Sequence, residues 1–94
     1  MTESRTQKLR QRLEEAFDPE ELLVKDQSQL HIGHEGAREG KGHFDVTIVS
    51  AMFAGVSRLR RHRMIYDVLS DLIESDIHAL RIRAHTPAER DQSA

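Results

Sequence analysis

The chain has 94 residues, which is enough for one small domain with a single core. Sixteen acidic residues outnumber fourteen basic ones and give a net charge of −2, so a uniformly basic nucleic-acid coat is excluded. The absence of cysteine excludes disulfides, a thiol nucleophile and a metal site made from the chain's own thiolates. Six histidines remain as candidate metal ligands.

Targeting and membrane signals are weak in this sequence. The longest apolar-leaning run, residues 48–56, is too short to cross a bilayer, and the N-terminus lacks the apolar core of a signal peptide. We therefore expect a cytoplasmic protein with no membrane partner. It should form one domain over residues 1–94, with an ordered core over 4–89 and a frayed polar tail over 90–94.

The first predicted helix begins near Ser4. Ser4 and Gln7 can form a capping box, in which each side chain satisfies a backbone N–H of the first turn. The helix should end at Asp18, because the residue before a proline is pushed out of helical geometry. Its apolar stripe consists of Leu9, Leu13, Ala16 and Phe17. Residues 21–26 then form a short strand.

Residues 27–42 have a different composition from the rest of the chain. They contain four of the five glycines together with His31 and His34. A loop this long in a compact domain is usually functional or disordered. The clearest strand follows at residues 43–50, where apolar and polar residues alternate.

A second helix is predicted over residues 57–75, with Ser57 as its cap. Its apolar stripe consists of Leu59, Ile65, Leu69, Leu72 and Ile73. A third strand is predicted over residues 77–84, with Leu80 and Ile82 facing inward.

The last predicted helix starts after Thr86. Thr86 can cap this helix, Pro87 takes its first position, and Glu89 takes its third position. The order of elements is therefore α-β-β-α-β-α. The first two strands can pair as an antiparallel hairpin, and the crossover to the third strand should be right-handed and parallel. Helices on one face of a three-stranded mixed sheet make a two-layer α+β domain.

Both long predicted helices carry basic residues near their N-termini and acidic residues near their C-termini. This is the opposite of the arrangement that the helix dipole favours. The first two turns of the second helix contain Arg58, Arg60, Arg61 and Arg63. One interpretation is solubility, with pairs such as Arg63–Asp67 recovering a few tenths of a kcal/mol. The other is an anion-binding surface for phosphate or an acidic partner. The charge pattern alone does not distinguish a solubilising surface from an anion-binding one.

Two histidines from separate segments are predicted to meet. If the second and third strands pair in parallel, His43 and His78 lie at the same end of the sheet, beneath the loop that carries His34. Two imidazoles can chelate an iron or zinc ion, but a closed structural zinc site needs four ligands. A partner would then supply the others. The alternative is that each is an ordinary surface or hydrogen-bonded histidine.

Enzyme motifs are absent from the sequence. It contains no GxSxG, P-loop, HExxH or glycine-rich dinucleotide turn, so we do not expect catalysis. Residues 33–36 read GHEG and match the GxxG of KH domains, but that motif joins two helices. Here it falls between two strands, so the match fails.

Five short segments, taken in order and with their spacing, resemble the BolA family: FDVTIVS at 44–50, FAG at 53–55, RHRMIY at 61–66, IHAL at 77–80 and TPAE at 86–89. The likeness covers residues 8–89. It implies an αββααβ fold of the class II KH type, with a short helical turn before the long helix.

The resemblance also implies a function. BolA-like proteins pair with monothiol glutaredoxins and share a glutathione-ligated [2Fe–2S] cluster in cluster trafficking and iron homeostasis. The family's ligands correspond here to His78 of the IHAL motif and to one loop residue, with His34 as the first choice, His43 the second and His31 the third. The isolated chain would not hold the cluster. It would be a monomer or a weak homodimer.

Some BolA-like proteins are described as DNA-binding regulators of morphology and stress response. That role would use Arg58, Arg60, Arg61 and Arg63 on a KH-like scaffold. The negative net charge and the lack of a helix–helix GxxG weigh against it.

Overall fold

The computed structural model of the chain describes residues 4–27 and 42–92. In chain order its elements are helix α1 (Arg5–Phe17), strands β1 (Glu21–Asp26) and β2 (Gly42–Val49), a 3-10 turn (Ala51–Phe53), helices α2 (Arg58–Val68) and α3 (Ser70–Ser75), strand β3 (Ile77–His85) and helix α4 (Pro87–Gln92). The sheet order is β1-β2-β3, with β1 antiparallel and β3 parallel to β2. The predicted α+β fold with a mixed sheet is confirmed.

Helix α1 begins and ends where its sequence signals predict. The Ser4 hydroxyl accepts a bond from the Gln7 backbone N–H at 3.1 Å, and the Gln7 side chain accepts one from the Ser4 N–H at 3.1 Å. Asp18 closes the helix in the left-handed region, with φ 43°, and its N–H reaches the Glu14 carbonyl at 3.1 Å. These local bonds confirm the predicted capping box.

The core lies between the sheet and helices α1 to α3. Phe44, Val46 and Ile48 alternate along β2 and are buried, as predicted. The helices and the 3-10 turn contribute Leu9, Leu13, Phe17, Phe53, Ile65, Leu69 and Leu72. Because the inward residues of β2 take every second position, His43, Asp45 and Thr47 lie on the opposite side of the sheet.

The predicted helix over residues 57–75 is wrong as a single element. It is divided at Leu69, whose backbone lies at φ −100° and ψ 9°. The Leu69 side chain is fully buried, and its carbonyl still accepts a bond from the Ile73 N–H at 2.9 Å. Leu69 thus keeps its predicted place in the core although the helix is interrupted there. The short turn implied by the BolA resemblance is confirmed at Ala51–Phe53.

The predicted apolar stripe of helix α2 is wrong in the first turn, whereas Ile65 and Leu69 are buried as predicted. Leu59, assigned to the apolar stripe, is 63% exposed, whereas Arg61 is only 5% exposed. Residues two apart on a helix point to nearly opposite sides, so Leu59 and Arg61 cannot both face the core. Arg61 and Ile65, four apart, share the inward face. The predicted exposed surface of four arginines is therefore wrong for Arg61.

The C-terminal end is more ordered than predicted. Helix α4 continues to Gln92, so residues 90–92 are part of the fold and not of a frayed tail. Arg90 lies 3.2 Å from a carboxylate oxygen of Glu21 and 3.5 Å from one of Glu20, which connects α4 to the start of β1. Residues 93–94 lie outside the described residues. Within the described ranges, no helix is long and apolar enough to cross a membrane.

Candidate functional site

Strand β3 begins with an irregular register against β2. Gly42 pairs with Ile77, but His43 pairs with Ala79, so His78 is an extra residue on β3. Side chains along a strand normally alternate between the two faces of the sheet, and an extra residue displaces this alternation by one position along β3. His78 and Ala79 are therefore both exposed, although they are adjacent in the strand.

This irregularity places two imidazoles side by side. The ring centroids of His43 and His78 are 5.1 Å apart, with their planes inclined by 49°. His43 is partly buried and His78 is exposed. The parallel pairing of β2 and β3 thus brings together the two histidines that the topology predicted to meet.

The segment that carries His31 and His34 lies outside the described residues, but both of its attachment points are at this edge. The Gln27 backbone N–H donates to the His43 carbonyl at 2.7 Å, and the Gly42 N–H donates to the Asp76 carbonyl at 2.9 Å. The chain therefore leaves the sheet and returns to it beside His43 and His78.

A groove of about 400 Å³ lies next to His43, between residues of β2 and β3. Its walls include His43, Asp45, Ala79 and Arg81. The Arg81 Nε lies 3.9 Å from an Asp45 carboxylate oxygen, so the charges of the groove are partly balanced. Over residues 4–27 and 42–92, no three histidine or acidic side chains are grouped so that they could hold a metal ion. The described part of the site thus offers two imidazoles.

Three of the four predicted surface arginines are exposed. Arg58, Arg60 and Arg63 lie on the outer side of α2, and the last two line a groove of about 560 Å³. The same groove includes the exposed side chain of Leu59. The outer side of α2 therefore carries three exposed arginines and an exposed leucine, and Asp67 lines the same groove.

Arg61 instead forms a buried clamp at the other end of the sheet. Its guanidinium donates to both carboxylate oxygens of Glu89, at 2.6 and 3.0 Å. It also donates to the carbonyls of Val56, at 2.8 Å, and Ala84, at 3.0 Å. One arginine thus connects helix α2, the end of β3 and helix α4.

Glu89 also completes the capping box of α4, in which Thr86 is the capping residue. Its carboxylate accepts a bond from the Thr86 N–H at 2.9 Å, and its own N–H donates to the Thr86 hydroxyl at 3.1 Å, so the predicted capping box is confirmed. The Arg61 guanidinium, and then the Thr86 N–H, lower the pKa of Glu89 from 4.5 to about 2. Glu89 in turn raises the pKa of Arg61.

Several charges of the predicted dipole-opposing pattern form ion pairs between helices, although the division at Leu69 places Asp71 in the first turn of α3, where a negative charge is favourable. Arg12 of α1 donates two bonds to Asp71 of α3, at 2.6 and 2.7 Å. Arg5 and Lys8 lie 3.7 and 3.6 Å from the carboxylate of Asp76. The bond to Arg12 lowers the pKa of Asp71. Basic residues of α1 therefore face acidic residues at both ends of α3, which explains part of the pattern without any ligand.

Comparison with known proteins identifies the family. The family model described as BolA-like protein matches residues 13–89. SufE-like protein 1, chloroplastic/mitochondrial, of Arabidopsis thaliana is 47% identical over 91 residues, which cover 92% of this chain and 24% of that protein. Protein BOLA1, chloroplastic, of the same plant is 37% identical over 90 residues, which cover 93% of this chain and 56% of that protein. The chain thus spans only part of both relatives.

A solved structure and a bacterial relative add to this result. The structure of the BolA domain of SufE1 from Arabidopsis thaliana matches with a TM-score of 0.82 and 47% identity, covering 95% of this chain and 99% of that domain. The DNA-binding transcriptional regulator BolA of Haemophilus influenzae is 34% identical over 81 residues, which cover 86% of this chain and 76% of that protein.

Proposed function

The chain belongs to the BolA-like family, and from that membership we propose that it is a non-catalytic partner of a monothiol glutaredoxin. The two proteins would together ligate a glutathione-containing [2Fe–2S] cluster, which is the cargo of a trafficking step in iron homeostasis. One observation carries the proposal: His78 is exposed beside His43, at the edge where the histidine-bearing segment joins the sheet.

The donor set of the chain fits this role. Imidazole nitrogen is a good ligand for iron, and histidine replaces thiolate on one iron of Rieske clusters. Because the chain has no cysteine, any thiolate ligand must come from glutaredoxin and glutathione. The exposure of His78 supports a cluster held between two proteins, because a partner can reach this side chain without unfolding the domain.

We propose His78 as the first ligand and His34 as the second, with His43 and then His31 as the alternatives. The irregular register at His78 supports the first choice, because such features often re-aim a side chain at a functional site. The attachment of the segment 28–41 at Gln27 and Gly42 supports a second ligand from that segment, because both ends of it lie at the same edge.

Spectroscopic titration tests the proposal. Adding the chain to a cluster-loaded monothiol glutaredoxin with glutathione should change the visible absorption and circular dichroism of the cluster. His78→Ala should abolish the change, whereas His62→Ala, a histidine of α2 far along the chain, should leave it intact. Single alanine variants of His34, His43 and His31 then identify the second ligand. An unaltered change with His78→Ala would contradict the ligand assignment.

A second candidate function is DNA binding, favoured by the exposed arginines of α2 and by the name of the Haemophilus relative. Arg58, Arg60 and Arg63 would contact phosphates, and such contacts release counterions and make binding fall steeply with salt.

Replacing these three arginines with alanine should weaken DNA binding and reduce the salt slope by about one for each lost phosphate contact. The control is the double replacement of Arg81 and Arg83, which are exposed on β3. It removes two positive charges from a different surface of the domain. No complex with DNA at low salt, or equal effects of both sets of variants, would reject this function.

A further inference from the structure

We propose that the outer edge of strand β3 binds an extended acidic segment of a partner protein, which adds to the sheet beside β3. In this mode of recognition, main-chain hydrogen bonds hold the added strand and its alternate side chains give specificity. The site goes beyond the proposed function, because it uses neither the histidines nor a cluster. It rests on the direction of the Ile82 backbone, on the side chains that flank Ile82 along the edge, and on two exposed arginines next to it.

The hydrogen bonds between β2 and β3 determine which backbone groups of β3 face outward. The Ser50 N–H donates to the His85 carbonyl at 2.9 Å, so the backbone of His85 faces β2. Successive residues of a strand direct their backbone groups to opposite sides, so Arg83 and Arg81 also face β2 and Ile82 faces away from it. β3 is an edge strand of the sheet. Within residues 4–27 and 42–92, no hydrogen-bond partner is found for the Ile82 backbone on that outer side.

Side chains of α2 cover the edge on both sides of Ile82. The Arg61 guanidinium donates to the Ala84 carbonyl at 3.0 Å and is buried, so it closes the edge at Ala84. The Tyr66 hydroxyl donates to the Leu80 carbonyl at 3.3 Å, which is long for a bond between two oxygens, and Tyr66 is 41% exposed. An incoming strand can displace this hydroxyl. The accessible edge therefore runs from Leu80 to Ile82.

The charges beside this edge favour an acidic segment. Arg81 and Arg83 lie on either side of Ile82 in the strand, and both are exposed. Arg81 has a distant ion pair of 3.9 Å with Asp45. Arg83 is in register with the uncharged Thr47, and no acidic side chain of the described residues forms an ion pair with it. Opposite charges on neighbouring strands attract each other, so acidic side chains fit opposite these arginines.

The same charges disfavour a second copy of this chain as the occupant. If two β3 strands paired antiparallel about Ile82, Arg81 of each copy would lie opposite Arg83 of the other. Like charges directly opposite each other destabilise a sheet. The outer edge of β1 is also less suited to an acidic segment, because its exposed residues Glu21 and Lys25 have opposite charges.

Amide hydrogen exchange measured by nuclear magnetic resonance tests the site, with a short synthetic peptide of alternating glutamate and valine as the probe. The Ile82 N–H faces outward and should exchange rapidly in the chain alone. At a peptide concentration about ten times the dissociation constant, its exchange should slow about tenfold. The Arg83 N–H, which faces β2, is the internal control and should exchange slowly with or without peptide.

Variants of the chain separate pairing at this edge from general attraction between charges. Replacing Arg81 and Arg83 together with alanine should weaken peptide binding by about fivefold or more. The matched control is the double replacement of Arg58 and Arg60, which removes the same charge from the exposed side of α2 and should leave binding nearly unchanged. Far-ultraviolet circular dichroism establishes that both double variants are folded. Equal effects of the two double variants would overturn the proposal.

Variants of the peptide and of Tyr66 test the backbone bonds. A peptide with methylated backbone nitrogens keeps its charges but cannot donate hydrogen bonds, and it should not bind. Tyr66→Phe should tighten binding of the parent peptide, because the Leu80 carbonyl no longer has to be released from the Tyr66 hydroxyl. Weaker binding by Tyr66→Phe would contradict pairing at Leu80.

Three further results would overturn the proposal: no binding of the parent peptide, equal binding of the methylated peptide, or binding that leaves the exchange of the Ile82 N–H unchanged. Slower exchange at higher protein concentration without peptide would show that a second copy occupies the edge, and would overturn it too. The cluster titration does not involve this edge, so a failure here is distinguishable from a failure of the proposed function.

Discussion

The two ends of the β2–β3 pair are built from different chemistry. At the histidine end, defined by His43 and His78, two imidazoles lie next to each other at a surface. At the arginine end, defined by Arg61 and Glu89, a buried guanidinium connects three elements through four hydrogen bonds. The two imidazoles connect strands β2 and β3 only, whereas the guanidinium of Arg61 connects helix α2, strand β3 and helix α4.

Helix α4 shows why the arginine end depends on charge. None of its residues is buried, so apolar packing contributes little to its position. Arg61 holds it to α2 and β3 through Glu89, and Arg90 holds it to the start of β1. The comparison shows that a charged residue holds three elements of this fold together where it is buried, whereas the two histidines lie at the surface.

The largest expected effect comes from Arg61. Arg61 is buried, and removing it leaves the carbonyls of Val56 and Ala84 without these bonds, so Arg61→Ala should lower the free energy of unfolding by about 2–3 kcal/mol. Urea denaturation measures the loss. The neighbouring exposed arginine gives the control, because Arg60→Ala should change the same quantity by less than about 0.5 kcal/mol. If Arg61→Ala and Arg60→Ala lower the free energy of unfolding equally, the burial and bonding of Arg61 do not make it important for stability.

The second effect is a pH dependence that belongs to Glu89. Arg61 lowers the pKa of Glu89 in the folded state to about 2, from 4.5. A carboxyl with a depressed folded pKa stabilises the fold above its unfolded pKa, and this contribution disappears as the pH falls from 4.5 towards 2. The stability difference between wild type and Glu89→Gln should therefore be largest near neutral pH and shrink in acid. Urea midpoints at pH 7 and pH 3.5 measure it; a constant difference would contradict the assignment.

A smaller effect is expected at the exposed pair of Arg12 and Asp71. Its geometry is as good as that of Arg61 and Glu89, with bonds of 2.6 and 2.7 Å, but both side chains are in contact with water. Salt screens such pairs, so Arg12→Ala should reduce the melting temperature less than Arg61→Ala does, and still less in high salt. A loss as large as that of Arg61→Ala would show that burial is not the deciding factor.

The smallest effect on stability is expected at the histidine end. His78→Ala removes an exposed side chain and should change the free energy of unfolding by less than about 0.5 kcal/mol. The same variant should lose cluster binding, so stability and function separate at one residue. A strongly destabilised His78→Ala protein would show instead that this end is structural.

Local patterns in the sequence predicted their structures well. The capping boxes at Ser4 and Thr86 were predictable because each depends on bonds between residues three apart. The alternation of β2 was predictable because a strand has a period of two. The parallel pairing predicted that His43 and His78 lie at the same end of the sheet, whereas the contact of their rings also depends on the irregular register at His78.

Other features depend on contacts between distant residues. Arg61 is buried because Glu89, 28 positions away, completes its bonds, and a helical pattern that counts only apolar residues cannot show this. The irregular register did leave a signal. Ile77 and Leu80 both pack on the core although they are three residues apart, which a regular strand does not permit. That spacing in the IHAL segment points to an extra outward residue.

The most direct measurement of the central claim is the magnetic coupling between the reduced cluster and histidine nitrogen. The chain is labelled with ¹⁵N-histidine, mixed with unlabelled cluster-loaded glutaredoxin and glutathione, reduced, and examined by pulsed electron paramagnetic resonance. We predict two strong ¹⁵N couplings in the wild-type complex. If the complex of the His78→Ala variant still holds a cluster, we predict one such coupling in it. A complex that forms without any coupling to ¹⁵N would contradict histidine ligation by this chain.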